Sequence, residues 1–218
     1  MRNIALIVMV FILLLASIAG LLFVSRNNSP DSIAGEVILT SDVNTPSYGN
    51  DLIMNNLLKE YSAISILHLR GIYDGRDTTA TEILLSGNKN NFVDLIGDLY
   101  GRESQNRINI KWQEYIDLYE DYTLAKKNND WKMQNDVRSR LVTMSDEMGE
   151  SFSEIEPHLN RQRVTELMRE RIELTLGIVD VYAANNFSEL ARLTKELSDQ
   201  DTIFSYYLSQ NMKSDIDE

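Results

Sequence analysis

The chain has 218 residues, 25% of them charged and 43% hydrophobic, which is the balance of a folded protein rather than a disordered one. It contains no cysteine, which excludes a disulfide framework, thiolate metal ligands and a lipoprotein attachment thiol. A formal net charge of −12, without a clustered Lys/Arg stripe, sets the surface against phosphate backbones, so nucleic acid is not an expected partner.

The run from Ile4 to Val24 carries no charge and is interrupted only by Ser17 and Gly20. At 1.5 Å rise per residue it is long enough to cross a hydrocarbon core of roughly 30 Å. Arg2 before it and Arg26 after it give only a small charge bias, and the place of the run in the chain favours export with the N-terminus inside. A cleavable signal peptide is the alternative, because Ser17-Ile18-Ala19 has the small residues a signal peptidase accepts. Cleavage there would leave the apolar Leu21–Val24 beside a new N-terminus, so an uncleaved anchor over residues 1–24 is expected. It would meet the lipid bilayer through residues 4–24.

Residues 25–50 are rich in Ser, Asn, Asp, Gly and Pro and read as a linker, with Glu36–Thr40 as a short strand or docking segment. From Asp51 the spacing turns helical. Leu57, Tyr61, Ile64 and His68 form one stripe that ends at the turn Tyr73-Asp74-Gly75. A second helix opens on the capping-box pattern Thr79-Ala80-Thr81-Glu82, is bent or interrupted at Ser86-Gly87-Asn88, and stops at Gly101. The third has the clearest stripe, Ile108, Trp112, Tyr115, Tyr119 and Tyr122, and ends at Asn128-Asn129-Asp130, which also caps the fourth. Val137, Leu141, Met144, Met148 and Ile155 continue the pattern to Pro157. A fifth helix covers about Arg161 to Ala184, Asn186-Phe187-Ser188-Glu189 starts a sixth, and the tail 214–218 is expected to fray.

Residues 116–131 align without gaps on residues 172–187, each a long helix, an Asn-rich turn and an aromatic that opens the next helix. The expected fold is therefore all-α. It comprises an N-terminal transmembrane helix and an extracytoplasmic bundle of five to six helices over 51–213, built from two helical-hairpin repeats.

Candidate sites are few. His68 and His158 lie on different segments, and no Glu-x-x-His or His-x-x-x-His occurs, so no metal ligand set is assigned and a di-iron carboxylate bundle is not supported. His68, on an apolar stripe, reads as a hydrogen-bonded core residue and His158 as solvated. Glu114, Asp117, Glu120 and Asp121 form an acidic face that reads as solvated rather than as a calcium site. No nucleophile elbow or phosphate-binding glycine loop is present, and no catalytic residue or cofactor is assigned. Trp112, Tyr115, Tyr119 and Tyr122, with His68, are the candidate lining of a ligand groove, against the alternative that they are core. Asn27-Asn28-Ser29 and Asn186-Phe187-Ser188 match the N-glycosylation pattern, the second also reading as a helix cap.

Leu84-Leu85-Ser86-Gly87-Asn88, then Ile96-Gly97-Asp98-Leu99-Tyr100-Gly101, then Trp112-Gln113-Glu114-Tyr115-Ile116 resemble a family of small bacterial and archaeal helical proteins with no established activity. These repeat Leu-Leu-x-Asn, a Tyr-Gly turn and a helix opening with His-Ile. Leu167 to Leu176 is similar to the family's second half. The family's repeated histidines fall here on Tyr115 and Arg171, so the resemblance implies that any metal or proton role of those histidines is lost.

The function expected from all this is a membrane-anchored extracytoplasmic interaction or ligand-sensing module, not an enzyme, whose partner is a protein or a small ligand. A structural subunit of a surface or membrane assembly is the second reading, and an enzyme of unrecognised type the third.

Overall fold

The computed structural model describes residues 47–212, so the anchor over 4–24, the segment Glu36–Thr40 and the tail 214–218 lie outside the described residues. Among the described residues no helix is long and apolar enough to cross a membrane. Five helices follow in order: α1 (Ser47–Asp74), α2 (Thr79–Lys127), α3 (Trp131–Ile155), α4 (Arg161–Ala183) and α5 (Phe187–Asn211). α1 thus begins inside the stretch read as linker.

α2 is two helices in one run. Gly101 breaks it with φ 84 and ψ 174, a conformation open to glycine and strained for other residues. The legs 79–100 and 102–127 double back on each other: Lys89 Nζ donates to Gln113 Oε1 at 2.9 Å, the Phe92 and Trp112 rings lie 4.4 Å apart, and Gln105 Nε2 donates to Asp94 Oδ1 at 2.8 Å. The expected stop at Gly101 is therefore a reversal of chain direction. Ser86-Gly87-Asn88, by contrast, does not interrupt the helix. Asn88 is buried, and its Nδ2 ties the leg to α1 through Leu57 O and Glu60 Oε2, each at 3.0 Å.

Counting the legs separately gives three helical hairpins: α1 with 79–100, 102–127 with α3, and α4 with α5. Their turns share one backbone solution. Gly75, Asn129 and Asn185 take positive φ of 70, 55 and 55. In each turn the next residue's N–H reaches back to close the last helical carbonyls: Arg76 to Gly71 O, Asp130 to Ala125 O and Asn186 to Val181 O, all at 2.9 Å. This is the Schellman closure of a helix C-terminus. The repeat between 116–131 and 172–187 is thus a repeat of structure, and α1 with the first leg of α2 adds a third copy to the two read from the sequence.

The first helix of each hairpin runs parallel to the other two, because their C-terminal ends meet. Lys127 Nζ donates to Ile72 O at 2.9 Å, Tyr182 OH to Asp74 Oδ2 at 2.8 Å, and Lys126 pairs with Asp180 at 2.7 Å. Each second helix wedges between its own partner and the next hairpin. The leg 79–100 lies against α1 and 102–127, α3 against α2 and α4, and α5 against α4 and α1. The result is a closed ring with pseudo-threefold symmetry. At equivalent heights Met54, Ile108 and Val164, then Leu58, Trp112 and Met168, face its axis at 1% exposure or less.

Two local signals resolve differently from expectation. The box Thr79–Glu82 does not form. Asp77 Oδ1 instead accepts from Thr79 N at 3.0 Å, and the Glu82 carboxylate accepts from Thr78 Oγ1 at 2.5 Å. Pro157 acts as expected: α3 ends at Ile155, and Glu156, the residue before the proline, is extended at φ −130.

α3 and α4 approach closely at Gly149, where an added Cβ would stand 2.2 Å from Thr165 Oγ1 and 2.9 Å from Arg161 O. A backbone oxygen cannot swing away. Gly149→Ala is therefore expected to cost about 1–3 kcal/mol, read as a lower urea midpoint at unchanged slope; a wild-type midpoint would contradict this packing.

Candidate functional site

The residues with most chemistry lie on the ring axis. Tyr61, Tyr115 and Arg171 stand the same distance back from Gly75, Asn129 and Asn185, so the three-hairpin arrangement brings them to one level. The Tyr61 and Tyr115 rings stack at 6.3 Å, and the Arg171 guanidinium lies 5.1 Å from the centre of the Tyr61 ring. Arg171 is 1% exposed. Its Nη2 donates to Ser62 Oγ at 2.8 Å, and its Nη1 meets the carboxylate of Asp201 on α5, which is 0% exposed. The charges cancel inside the core, a pairing that a buried arginine requires.

One turn higher, Tyr119 OH donates to Tyr115 OH at 2.6 Å, and Thr175 Oγ1 donates to Arg171 O at 2.9 Å. Burial pushes the Tyr61, Tyr115 and Tyr119 hydroxyls above the usual tyrosine range. For Tyr61 and Tyr115 the Arg171 charge works against that rise without cancelling it. These phenols stay protonated and neutral, so they form a hydrogen-bonded core rather than a set of proton-transfer groups.

Beside the axis, His68 on α1 is 1% exposed and bridges both legs of α2. Its Nδ1 lies 3.0 Å from Thr81 Oγ1 and its Nε2 3.0 Å from Glu120 Oε1. The Thr81 hydroxyl already donates to Thr78 O at 2.8 Å, so its oxygen faces His68 as an acceptor. His68 is thus a hydrogen-bonded core residue. Next to it, Tyr61, Ser65, Tyr119 and Glu120 help line a cavity of about 10 Å³, room for one water.

The candidate groove resolves accordingly. Trp112, Tyr115, Tyr119, Tyr122 and His68 are each at most 2% exposed. His68 and Tyr119 reach the small cavity, whereas Trp112, Tyr115 and Tyr122 do not line it. Trp112 packs against Phe92 and Tyr61. Tyr122 donates to Asp180 Oδ1 at 2.9 Å and accepts from Arg138 at 3.3 Å, joining α2, α3 and α4 toward the turn end. The acidic face divides among partners: Glu120 goes to His68, Glu114 to Lys111 at 3.7 Å, and Asp117 accepts from Gln113 at 2.8 Å. Among the described residues no three His, Asp or Glu side chains converge as metal ligands would.

At the opposite end Glu156 is 1% exposed and accepts from His158 N at 2.9 Å, with His158 Nδ1 at 2.7 Å and Tyr100 OH at 3.3 Å. Burial alone would raise this carboxyl, but the His158 and Tyr100 bonds outweigh it and hold it below the usual range. A lowered carboxyl stabilises the fold above its unfolded-state value and loses that contribution as pH falls through the folded one. Glu156→Gln should therefore flatten the acid limb of the stability–pH curve below pH 4.5; an unchanged limb would count against this tie.

Two concavities of about 290 and 260 Å³ open on the surface of the bundle. In the first, Arg161 pairs with Glu150 and Arg169 with Asp146; in the second, Arg76 pairs with Asp74. The charges lining the first balance, Asp146 and Glu166 against Arg161 and Arg169, whereas the second carries Arg70 and Arg76 against Asp77.

The pair Arg171–Asp201 and the ties of Glu156 went unread in the sequence. One signal was there: a lone charge of each sign sits in an apolar stripe, Leu167-Arg171-Thr175 on α4 and Leu197-Asp201-Phe204 on α5. Comparison with known protein families, with curated proteins and with solved structures returns no match.

Proposed function

We propose that this chain is a membrane-anchored, extracytoplasmic helical module that binds a protein partner and carries no catalysis of its own. The anchor rests on the uncharged run Ile4–Val24 and the linker composition after it. The observation that carries the choice of a protein over a small ligand is the closed interior. The aromatic stripe is consumed in the core, with about 10 Å³ left beside His68. A drug-sized ligand needs a pocket of roughly 300 Å³ or more. Recognition then falls to the outer surface, where Trp131, the first residue of α3, is 68% exposed. Exposed aromatics of this kind supply much of the energy at protein interfaces.

The experiment has two arms. Alkaline extraction should leave the chain in the membrane pellet, and protease added outside intact cells should remove the bundle. Extraction into the supernatant, or full protection, would overturn the placement. In cross-linked membranes the outer helix faces should link to a different polypeptide, with the links weakened by Trp131→Ala. Links only between copies of this chain would favour the second reading, a subunit of a larger assembly. Chelator should leave the melting temperature unchanged, and a chelator-sensitive melt would restore a metal role.

A further inference from the structure

Asn186-Phe187-Ser188 is an Asn-x-Ser acceptor sequence, and all three residues are exposed in the turn between α4 and α5. The turn lies at the end of the bundle opposite the start of α1. Asn186 Oδ1 accepts from Ser188 Oγ at 3.1 Å and from Glu189 N at 3.3 Å. Its Nδ2 has no hydrogen-bond partner among the described residues. The cap itself does not call for an amide: at the equivalent turn Asp130 does the same work with a carboxylate, accepting from Met133 N at 3.0 Å. What Asn186 has beyond its counterpart is a free amide nitrogen, with the hydroxyl of the residue two positions on already held against its carbonyl.

We propose that Asn186 is an N-glycan acceptor, taking an oligosaccharide from a lipid-phosphate-linked donor. The inference rests on the extracytoplasmic placement argued above. In the transfer a bond forms between Asn186 Nδ2 and the anomeric carbon of the sugar. The bond from that carbon to the lipid phosphate oxygen breaks, and the lipid phosphate leaves with its electron pair. One Nδ2 proton passes to a base of the transferase. Oδ1 is untouched, so the modified residue still accepts from Glu189 N and still caps α5. The fold can therefore carry the glycan without losing the turn. The other acceptor sequence, Asn27-Asn28-Ser29, lies outside the described residues.

The test is expression of the full chain, with an acceptor sequence appended at its C-terminus, in a host that performs N-glycosylation. Glycopeptide mass spectrometry should find sugar on Asn186 and on the appended acceptor. Asn186→Asp should abolish the first while leaving the melting temperature unchanged, since aspartate caps the sister turn. Ser188→Ala should abolish it independently, and Asn27→Gln should not affect it. A glycosylated appended acceptor beside bare Asn186 overturns the inference and leaves the placement standing. If both are bare, the domain is not on the glycosylating side, and the placement falls with the inference.

Discussion

Arg171→Leu is expected to destabilise the bundle by about 3–5 kcal/mol, the range for breaking a buried pair from one side. The reason is what remains. Asp201, 0% exposed, loses its counter-charge, and Ser62 Oγ loses the donor that reaches it at 2.8 Å. Arg171→Leu with Asp201→Leu should recover most of the loss, because two apolar side chains of similar volume need no solvation. Urea melts of the single and double variants decide it. If the double variant is as unstable as the single, the pair is not the cause and the defect is one of shape. Arg171→Lys should fall between wild type and the leucine variant, since an ammonium keeps a counter-charge for Asp201 but cannot also reach Ser62 while lying flat against the Tyr61 ring.

Alkaline unfolding should be unusually steep. Burial raises Tyr61, Tyr115 and Tyr119 above the ordinary value of 10.0. Their contribution is fully present below the unfolded-state value and is lost as pH rises above it, because only the unfolded chain can release these protons. Each such group costs at most about 1.4 kcal/mol per pH unit above the unfolded-state value, so the three together steepen the loss of stability as pH rises past 10. Chemical melts at pH 8, 10 and 11 measure the slope. Combining Tyr61→Phe, Tyr115→Phe and Tyr119→Phe should flatten it while lowering stability at neutral pH through the lost Tyr119–Tyr115 bond. An equally steep slope in that variant would place the effect elsewhere.

Helix limits were legible because local rules set them. The positive φ at Asn129 and Asn185, the caps at Asp130 and Asn186 and the stop before Pro157 all act within a few residues of their signal. The helix, turn and helix around Gly75 were legible, but not as a third copy of the repeat, since this turn uses Gly75 where the others use asparagine. The axial pair of this hairpin, Tyr61 and Ser65, shares its tyrosine with Tyr115 and its hydroxyl with Thr175, but the pairs Tyr115–Tyr119 and Arg171–Thr175 each differ from it at the other position. The groove failed for another reason. An aromatic stripe at helical spacing specifies a face, and only the neighbours decide whether that face closes. Here Phe92, carried back by the reversal at Gly101, fills the space in front of Trp112. Asn88 shows the same limit: beside a glycine it reads as a break, and it is in fact a buried tie to α1.

The ring closes through α5 lying on α1, with Ser205 Oγ 3.4 Å from Asn55 Oδ1. Among the described residues the first and last helices are therefore neighbours, and the start of α1 and the end of α5 lie at the same end of the bundle as the reversals at Gly101 and at 156–160. Nothing in the packing depends on which of these three openings is the real one. A circular permutant that joins 212 to 47 with a short linker and reopens the chain at 156–160 would begin with α4 and end with α3, and would bury the same residues. Order along the chain and order around the axis are separate properties here, and the core is determined by the second.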